Sequence, residues 1–465
     1  SYQKIRKVDP TLAGPYYNMG IILKRNGRVE EAIDSYKKAI SLRSDYLQAY
    51  NNLGVIYKDK KEYEDAIEMF TKVKELRPDH QNSHYNLALI KKEQGLSEEA
   101  IELFLQVLNL NPEHSDARCN ISIIKLEDGL LEDAKKYLLE ILKTDQKYEN
   151  APKHLAAIAL KQENFEEVWS YYEYRWKTSP QNQSIWPFPD KPLWRGEKGK
   201  RVALWREQGI GEDIISLSLV PEVKEMCSSL SVYVDPRLQD LCKRAMPEIN
   251  FVKDIEALEG VECDYHLPLG SLPGLIRNDI SDFDRTIKGY LKADPQRVGL
   301  IRDELKLEGR TVIGISWKSF NSLNPFKKSV QLKDMERIFS GLDVVLVNLQ
   351  YGDVEDEIRE FKEATGIDII QCASVDNRED LDGLAALIEA CDLVVSTSNV
   401  TVHLAGALAK KTWVMLNFVS IYYWLSDRPD SIWYPSVSLY RQPRLNDWDS
   451  VFASIRADME RELSN

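Results

Sequence analysis

The chain of 465 residues lacks the features typical of secreted, membrane-spanning or zinc-bound proteins. Its six cysteines are scattered with no CxxC pair, so neither a disulfide framework nor a zinc knuckle is expected. No apolar run is long enough to span a membrane, and the opening stretch SYQKIRKVDP has no signal-peptide pattern. We therefore expect a reduced, cytoplasmic protein.

Basic charge is also scarce. Residues 1–179 carry 27 basic and 29 acidic side chains, and the whole chain has a net charge of −13. A nucleic-acid-binding protein normally presents a basic face, and neither half shows one at the level of net charge. The length allows two or three domains, each with an adequate core.

The first half of the chain contains a repeat of 34 residues. Three sets of positions recur at this period: the small residues Gly20, Gly54, Ala88, Ser122 and Ala156; the later positions Ala32, Ala66, Ala100, Ala134 and Val168; and the larger side chains Tyr36, Phe70, Phe104, Leu138 and Tyr172. This pattern closely resembles the tetratricopeptide repeat (TPR), whose paired helices stack into an α-solenoid, or superhelix. We predict such a solenoid over residues 1–178. Because Tyr2, Ile5 and Pro10 fit the second helix of a preceding unit, we also expect that repeats upstream of residue 1 are missing.

An asparagine recurs on the first helix of four units, at Asn18, Asn52, Asn86 and Asn120, and His154 takes its place in the fifth. A carboxamide has both donors and an acceptor, so it can bind a peptide backbone regardless of the side chains. The alternative is a solvated helix face of no special function. The series resembles the asparagine ladder of the eukaryotic O-GlcNAc transferase, and this resemblance implies that the concave face captures an acceptor polypeptide.

The second half has the pattern of an α/β protein. Residues 179–200 hold four prolines and are predicted to form an ordered, aromatic-rich linker. Alternating strands and helices then predict two Rossmann-like halves with parallel sheets, at 201–305 and 306–445, and a C-terminal helix at 446–465 that crosses back over the first half. The predicted strands are RVALW, SVYVD, INFV and CDYHLPL in the first half, and TVIGISW, DVVLVNLQ, IDIIQCA, DLVVSTS and TWVMLN in the second.

Three strand ends are expected to face the cleft between these halves. In WREQGIGED, a glycine turn leads to a helix start with Glu212 and Asp213, acids that could simply complement the helix dipole. In GISWKSFNS, Lys318 follows a buried strand and could meet a phosphate or be an ordinary surface lysine. In STSNVTVHLAGALAKK, a polar run caps a helix whose free N–H groups could bind a diphosphate, and His403 could belong to that site or satisfy a carbonyl.

Together these segments resemble the GT-B glycosyltransferases, specifically the heptosyltransferase-like branch found fused to tetratricopeptide repeats in bacteria. The resemblance covers about residues 192–465 and is most specific in LAALIEACDLVVSTSNVTVHLAGALAKKTWVML. It implies that Glu212 is the catalytic base and that Lys318 neutralises the donor diphosphate. It further implies a donor-nucleotide site made by Gly211, Trp317, Gln350, Ser398, Asn399, Val400, Thr401 and His403. A nucleotide-sugar is then the co-substrate, with no cofactor and no metal.

The chain departs from that family at two positions. Gly211-Glu212-Asp213 stands where the family usually has Gly-Asp, so either Glu212 or Asp213 could be the base. Ser398 stands where an aspartate is usual, which could alter donor choice or mark a degenerate enzyme. The resemblance implies an inverting protein glycosyltransferase that modifies Ser or Thr of a captured polypeptide, by analogy a flagellin or another surface protein. The alternatives are an inactive TPR scaffold and a transferase that acts on a glycan or lipid-linked acceptor.

Overall fold

The computed structural model describes residues 11–178, 186–285, 288–307, 309–319, 329–418, 423–425, 428–444 and 446–464. It divides the chain into two compact units, Ser1–Leu155 and Ala156–Asn465. The division falls earlier than residue 178, where we predicted the repeats to end. The predicted half-repeat at Tyr2, Ile5 and Pro10 lies outside the described residues, as do residues 179–185 of the predicted linker.

The first unit consists of helical hairpins, as the 34-residue period predicts. The helices are α1 (Ala13–Arg25), α2 (Val29–Leu42), α3 (Leu47–Asp59), α4 (Tyr63–Leu76), α5 (Gln81–Glu93), α6 (Ser97–Leu110), α7 (Ser115–Glu127) and α8 (Leu131–Thr144); α9 (Asn150–Lys161) follows them. The prediction of a TPR solenoid in the N-terminal half is confirmed.

Small residues in these hairpins make room for aromatic ones. A Cβ placed on Gly20 would lie 2.6 Å from Cε1 of Tyr36, and one placed on Gly54 would lie 2.9 Å from Cε1 of Phe70. Both aromatic side chains are buried in the core of the unit. Glycine is therefore required at these points of helix contact, where any side chain would displace the aromatic wedge.

The turn inside each hairpin uses the same backbone conformation. One residue per turn has a positive φ, in the left-handed region that favours glycine. These residues follow the 34-residue period: Gly27, Lys61, Gly95, Gly129 and Glu163, with φ of 75°, 62°, 76°, 76° and 52°. The turn geometry therefore persists where lysine or glutamate replaces glycine.

The hairpin of α9 and α10 (Phe165–Tyr172) packs onto the α/β part of the second unit, and α11 (Arg175–Thr178) follows it. The rings of Phe165 and Phe283 lie 5.1 Å apart between centroids. The indole of Trp169 donates a hydrogen bond of 2.5 Å to the carbonyl oxygen of Arg277 and contacts the ring of Trp433 at 6.4 Å between centroids. These contacts explain why the fifth repeat is grouped with the sheets.

The first parallel sheet has the strand order β3-β2-β1-β4. Its strands are β1 (Arg201–Trp205), β2 (Ser229–Tyr233), β3 (Asn250–Phe251) and β4 (Tyr265–Pro268). The helices around it are α12 (Ile210–Leu217), α13 (Val220–Met226), α14 (Gln239–Ala245), α15 (Ile255–Glu259), α16 (Pro273–Ile276) and α17 (Pro295–Leu305). Ligands of open α/β sheets bind at the carboxyl ends of the strands where the order reverses, which here is between β1 and β4.

The second parallel sheet has the order β10-β9-β8-β5-β6-β7. Its strands are β5 (Thr311–Ser316), β6 (Val344–Asn348), β7 (Ile369–Ile370), β8 (Leu393–Thr397), β9 (Thr412–Leu416) and β10 (Val437–Arg441). The helices are α18 (Glu336–Phe339), α19 (Glu355–Thr365), α20 (Leu381–Ala390), α21 (Val400–Ala407) and α22 (Trp448–Leu463). Counted from β5, this is the doubly wound order 3-2-1-4-5-6, which reverses between β5 and β8.

The described part of the predicted linker is ordered, because Trp186 and Phe188 cluster with Trp205.

The C-terminal helix α22 packs on the second half. It buries Val451, Phe452, Ile455 and Met459 in the core formed by the second sheet. The guanidinium of Arg456 on this helix also donates to the Ile338 carbonyl at 3.1 Å. The expectation that this helix crosses back over the first half is therefore wrong.

Candidate functional site

Two buried carboxamide side chains hold the carboxyl end of β5: Gln350, which follows β6, and Asn399, which follows β8. The carboxamide oxygen of Gln350 accepts from the Ser316 hydroxyl at 2.9 Å and from the backbone N–H groups of Trp317 and Lys318 at 2.9 and 2.7 Å. Its NH₂ group donates to the Tyr351 carbonyl at 3.0 Å. Gln350 therefore holds the turn that carries Lys318, and its side-chain oxygen already has three donors.

Asn399 has the matching role at the end of β8. Its side-chain oxygen accepts from the Thr401 N–H at 3.0 Å and so caps the N-terminus of α21. Its amide nitrogen donates to the Ser316 hydroxyl at 2.7 Å and to the Lys318 carbonyl at 3.1 Å. The cap thus fixes the first turn of α21, including Val400, against the end of β5, at the point where the strand order reverses.

Two buried polar atoms at these strand ends have no hydrogen-bond partner among the described residues. They are the hydroxyl of Thr397 at the end of β8 and the indole N–H of Trp317 directly after β5. Both side chains are fully buried. Buried polar groups are almost always satisfied, so each of these two atoms would gain a partner if a polar ligand or a water reached it.

Lys318 is placed at this site, and its ammonium is already paired. It forms an ion pair with Glu357 on α19. The lysine side chain is about one-third exposed, at 35%. A competing anion can therefore reach it from solvent, although it must displace or share Glu357.

Ser398 and His403 lie in an aromatic enclosure. The Ser398 hydroxyl accepts from the indole N–H of Trp424 at 2.8 Å. The imidazole of His403 stacks on Trp424 with 5.5 Å between centroids and an 11° interplanar angle, and the ring of Tyr423 meets it edge-on at 5.0 Å. The imidazole is only 2% exposed. The Ser398 hydroxyl therefore holds the indole of Trp424 in place beside the histidine.

Helix α12 of the first half meets α21 of the second at Gly211. A Cβ placed on Gly211 would lie 2.9 Å from Cδ2 and 3.3 Å from Nε2 of His403. Glu212 is the next residue, and its Oε2 would lie 3.0 Å from a Cβ on Gly209, the N-cap of α12. The carboxylate is thus folded back over the N-terminus of its own helix, where the helix dipole stabilises its negative charge.

Electrostatics also place Glu212 near the aromatic enclosure. Burial raises the pKa of Tyr423 and of Tyr434, and the negative charge of Glu212 raises both further. The structure therefore brings Glu212, His403 and the end of β8 into one neighbourhood.

Asp213 points elsewhere. Its carboxylate is 1% exposed, accepts from Nε of Arg206 at 2.8 Å and accepts from the Asp235 N–H at 3.1 Å. Burial raises the pKa of Asp213 to about 7, although the positive charge of Arg206 opposes the shift. Of the two adjacent acids, Glu212 is the one that lies beside His403.

Sequence reasoning missed Glu207, which follows β1 at the switch point of the first sheet. Its carboxylate side chain is 1% exposed and pairs with Nη2 of Arg175 at 3.0 Å. A Cβ on Gly270, just after β4, would lie 2.4 Å from Oε1 of Glu207. A carboxylate directly after a buried strand was the available signal, but the prediction used Glu212 and Asp213, five and six residues further on in WREQGIGED.

The asparagine series lies on first helices, as predicted, with Asn18 exposed and the others partly buried. The amide of Asn52 lies 3.4 Å from the Tyr17 hydroxyl. The side-chain oxygen of Asn86 accepts from Lys58 at 3.0 Å, and that of Asn120 accepts from Lys92 at 2.8 Å. Two of the four carboxamides therefore already use their acceptor oxygen within the solenoid.

Comparison with known proteins agrees with the helical hairpins. Family models described as "TPR repeat" and "Tetratricopeptide repeat" match residues 20–60 and 45–113. The N-terminal region therefore consists of tetratricopeptide repeats, which as a class are protein-interaction modules. Its sheets make the rest of the chain an α/β structure.

Among individual proteins, the chain is similar to Protein FlbA of Caulobacter vibrioides, with 29% identity over 312 residues. The match covers 62% of this chain and 51% of FlbA, so the chain spans about half the length of this curated relative.

Three solved structures are similar to part of the chain. YrrB, described as a TPR protein with an unusual peptide-binding site, is 21% identical over 39% of this chain and 94% of its own, with a TM-score of 0.32. MamA is 18% identical over 37% of this chain and 94% of its own, with a TM-score of 0.34. PilF of Pseudomonas aeruginosa is 17% identical over 46% of this chain and 85% of its own, with a TM-score of 0.35.

No helix among the described residues is long and apolar enough to cross a membrane. No group of three or more His, Cys, Asp or Glu side chains in the same residues is arranged to hold a metal ion.

Proposed function

We propose that the chain is a protein glycosyltransferase of the GT-B type, which transfers a sugar from a nucleotide-sugar to a polypeptide held by the repeats. One observation carries the proposal. The ends of β5 and β8, with the capped N-terminus of α21, meet at the switch point of a doubly wound sheet and lie against the helix that carries Glu212. Such a point is where α/β sheets bind nucleotides.

In the proposed reaction the two halves have different roles. Glu212 accepts the proton of a Ser or Thr hydroxyl as that oxygen forms the glycosidic bond. The bond between the sugar and the nucleoside diphosphate breaks, and the diphosphate leaves with the bonding electrons. The N–H groups of the first turn of α21 and the ammonium of Lys318 stabilise its negative charge. Lys318 exchanges Glu357 for the phosphate when the donor binds.

The nucleotide site is tested first, by thermal shift with UDP, GDP, ADP, dTDP and CMP, with and without magnesium. We expect one nucleotide to raise the melting temperature without the metal. Lys318→Met should abolish the shift because the ammonium is lost. Lys362→Met is the matched control, since Lys362 lies on the helix that carries Glu357 but pairs at 2.9 Å with the exposed Asp368, which follows that helix. Equal nucleotide-induced shifts in melting temperature for both variants would show that Lys318 is not part of the nucleotide site.

The acceptor is tested by mass spectrometry after incubation with the matching nucleotide-sugar. The asparagine series should contribute, so alanine at Asn18, Asn52, Asn86 and Asn120 should reduce modification of a protein acceptor while leaving nucleotide binding intact. Glu212→Gln should abolish transfer both in the otherwise wild-type chain and in the chain with the four alanines. Sugar found instead on a glycan or lipid-linked acceptor would support the transferase activity but rule out a polypeptide as the acceptor.

A second candidate is a TPR scaffold whose α/β part no longer catalyses transfer. Two observations favour it: Lys318 is paired with Glu357, and the hydroxyl of Ser398 is engaged by Trp424. The absence of a shift with every nucleotide would favour the scaffold over the enzyme.

A further inference from the structure

The imidazole of His266, on β4, has two hydrogen bonds, and the direction of each is fixed by its partner. Nδ1 lies 3.0 Å from Nε1 of Trp205, the last residue of β1. An indole nitrogen only donates, so Nδ1 must accept and carries no proton. Nε2 lies 3.2 Å from the carbonyl oxygen of Lys191, which only accepts, so the ring proton is on Nε2. His266 is therefore neutral, in the Nε2–H tautomer.

A charged imidazole cannot keep both bonds. It carries a proton on each nitrogen, so its Nδ1–H would face the N–H of Trp205, and two donors repel each other. The His266 side chain is fully buried, so water cannot accept the proton in place of the indole. Burial also lowers the pKa of His266 below its ordinary 6.5, although the hydrogen bond to the Lys191 carbonyl opposes the shift. Protonation therefore requires the groups that cover the imidazole to move away.

The groups that cover His266 belong to the linker before β1. The rings of Trp186 and Phe188 each lie 5.6 Å from the imidazole between centroids. With the Lys191 carbonyl, they place three contacts to His266 within residues 186–191, which we call the strap. The strap is therefore the segment whose position depends most directly on the charge of this histidine.

No charged side chain among the described residues is hydrogen-bonded to the imidazole. The aromatic cluster around it contains two other titratable groups, the phenol of Tyr233 and the thiol of Cys263, whose pKa is raised by burial. Charged side chains on the surrounding elements have other partners or are exposed: Arg201 pairs with Asp264, Arg175 with Glu207 and Asp254 with Lys253, while Lys191 and Glu256 are exposed. A proton on His266 would therefore have no negative charge in contact with it.

We propose that His266 is a pH-sensitive fastener, which holds the strap against β1 and β4 when it is neutral and releases the strap when it is protonated. The chain beyond the strap stays in place, because the Trp194 N–H donates to the His266 carbonyl at 2.9 Å. Trp176 of α11 packs on both Trp186 and Trp205, with 5.7 and 5.8 Å between ring centroids. Release of the strap therefore also loosens α11 from the first sheet. This inference does not depend on the proposed transferase function.

The first test is ¹⁵N NMR of the full chain labelled at histidine, with the His266 signals assigned from their loss in His266→Gln. Above pH 6.5, the ordinary pKa of histidine, we expect wild-type His266 to show an unprotonated Nδ1 and a protonated Nε2. A proton on Nδ1 at that pH would overturn the inference, because Trp205 could then not donate to it.

The second test follows the indole N–H of Trp205 in the wild type labelled at tryptophan, with its signal assigned from Trp205→Phe. While it donates to His266, this N–H should exchange slowly with water. The released state binds one proton more than the fastened state, so below pH 6.5 release becomes about tenfold easier per pH unit, down to the lowered pKa of His266. We expect the protection of this N–H, corrected for the intrinsic effect of pH on exchange, to fall by that factor. Protection that does not change with pH over this range would contradict the release.

Two variants identify the group that titrates. His266→Gln can still donate to the Lys191 carbonyl but cannot be charged, so its Trp205 signal should lose the pH dependence. His80→Gln is the matched control, because Nδ1 of His80 also accepts from an obligatory donor, the Ser83 N–H at 3.2 Å, and burial also lowers the pKa of this histidine. His80→Gln should therefore behave as the wild type does. Persistence of the wild-type pH dependence in His266→Gln would assign it to another group and overturn the inference.

Discussion

Glu212 and Asp213 are neighbours in the chain with opposite surroundings. Glu212 is partly exposed and lies over the N-terminus of α12, whereas Asp213 is 1% exposed between Arg206 and the Asp235 backbone. A helix turns about 100° per residue, so adjacent side chains necessarily point in different directions. Once the buried side of α12 is known, this rotation indicates that Glu212, and not Asp213, is the candidate base.

The buried Asp213 predicts a pH-dependent stability. Its pKa rises from the ordinary 3.8 to about 7 on folding, so between these values the folded state binds more protons than the unfolded state. Its contribution to the free energy of unfolding is therefore fully present below pH 3.8 and is lost as the pH rises to about 7. We expect the stability of the wild type relative to Asp213→Asn to fall over this range, as measured by urea unfolding at several pH values.

The exposed Asp353 supplies the control for this experiment. Asp353→Asn should run parallel to the wild type across the same pH range. A constant difference between the wild type and Asp213→Asn would mean that Arg206 holds Asp213 ionised throughout, and would contradict the raised pKa.

At the scale of elements, the α12–α21 contact depends on a glycine. A Cβ on Gly211 would come within 2.9 Å of the His403 ring, so Gly211→Ala must push the two helices or the imidazole apart. Overpacking of this kind costs about 1–3 kcal/mol. We expect Gly211→Ala to lower the free energy of unfolding by this amount in chemical denaturation, and to weaken nucleotide binding if the proposed site is correct.

Gly299 on α17 is the matched control for Gly211, because a Cβ there meets nothing within 4 Å. Gly299→Ala should stabilise the protein by about 0.5–1 kcal/mol, since alanine is the better helix former. Destabilisation by both variants would point to a general effect of glycine replacement instead of a helix contact.

The sequence predicted nine of the strands and missed β10, for a physical reason. Seven of the nine have three or more consecutive buried residues, whereas in Val437–Arg441 only the first and third residues are buried. The turns of the hairpins were missed as well, because Lys61 and Glu163 occupy the left-handed position that glycine marks elsewhere.

For the site, the strand ends were predictable but their partners were not. A parallel sheet brings the residues after β5 and β8 to one edge, so Lys318 and Asn399 could be placed together from the pattern alone. The pairing of Lys318 with Glu357, and of Ser398 with Trp424, joins positions far apart in the chain. No periodicity carries such information.

The asparagine series shows the same limit of prediction from sequence patterns, here on a helix face. Its 34-residue spacing was readable, but the lysines that donate to Asn86 and Asn120 come from the preceding repeat. Their NH₂ groups also donate within the solenoid, from Asn86 to the Asn82 carbonyl at 2.8 Å and from Asn120 to the Asp116 carbonyl at 2.9 Å. A bound polypeptide would therefore have to share or displace these partners.

At the scale of the whole molecule, the end of the repeats and the start of the α/β unit do not coincide with the proline-rich segment. Phe165 and Trp169 belong by period to the fifth repeat, yet both are buried in the core that surrounds the sheets. Removing a buried Trp or Phe side chain typically costs about 3–5 kcal/mol. The fifth repeat therefore contributes to the stability of the α/β unit.

This predicts a difference between two truncated chains. Residues 150–465 retain α9, Phe165 and Trp169 and should unfold in a cooperative transition, followed by circular dichroism and tryptophan fluorescence. Residues 179–465, cut at the boundary that the sequence pattern indicates, leave the rings of Phe283 and Trp433 uncovered and should be markedly less stable or aggregate. Trp169→Ala in the full chain should reproduce part of that loss, by about 3–5 kcal/mol. Equal stability of the two truncated chains would show that the fifth repeat does not stabilise the α/β unit. The domain boundary would then lie at residue 178, as the sequence pattern indicates.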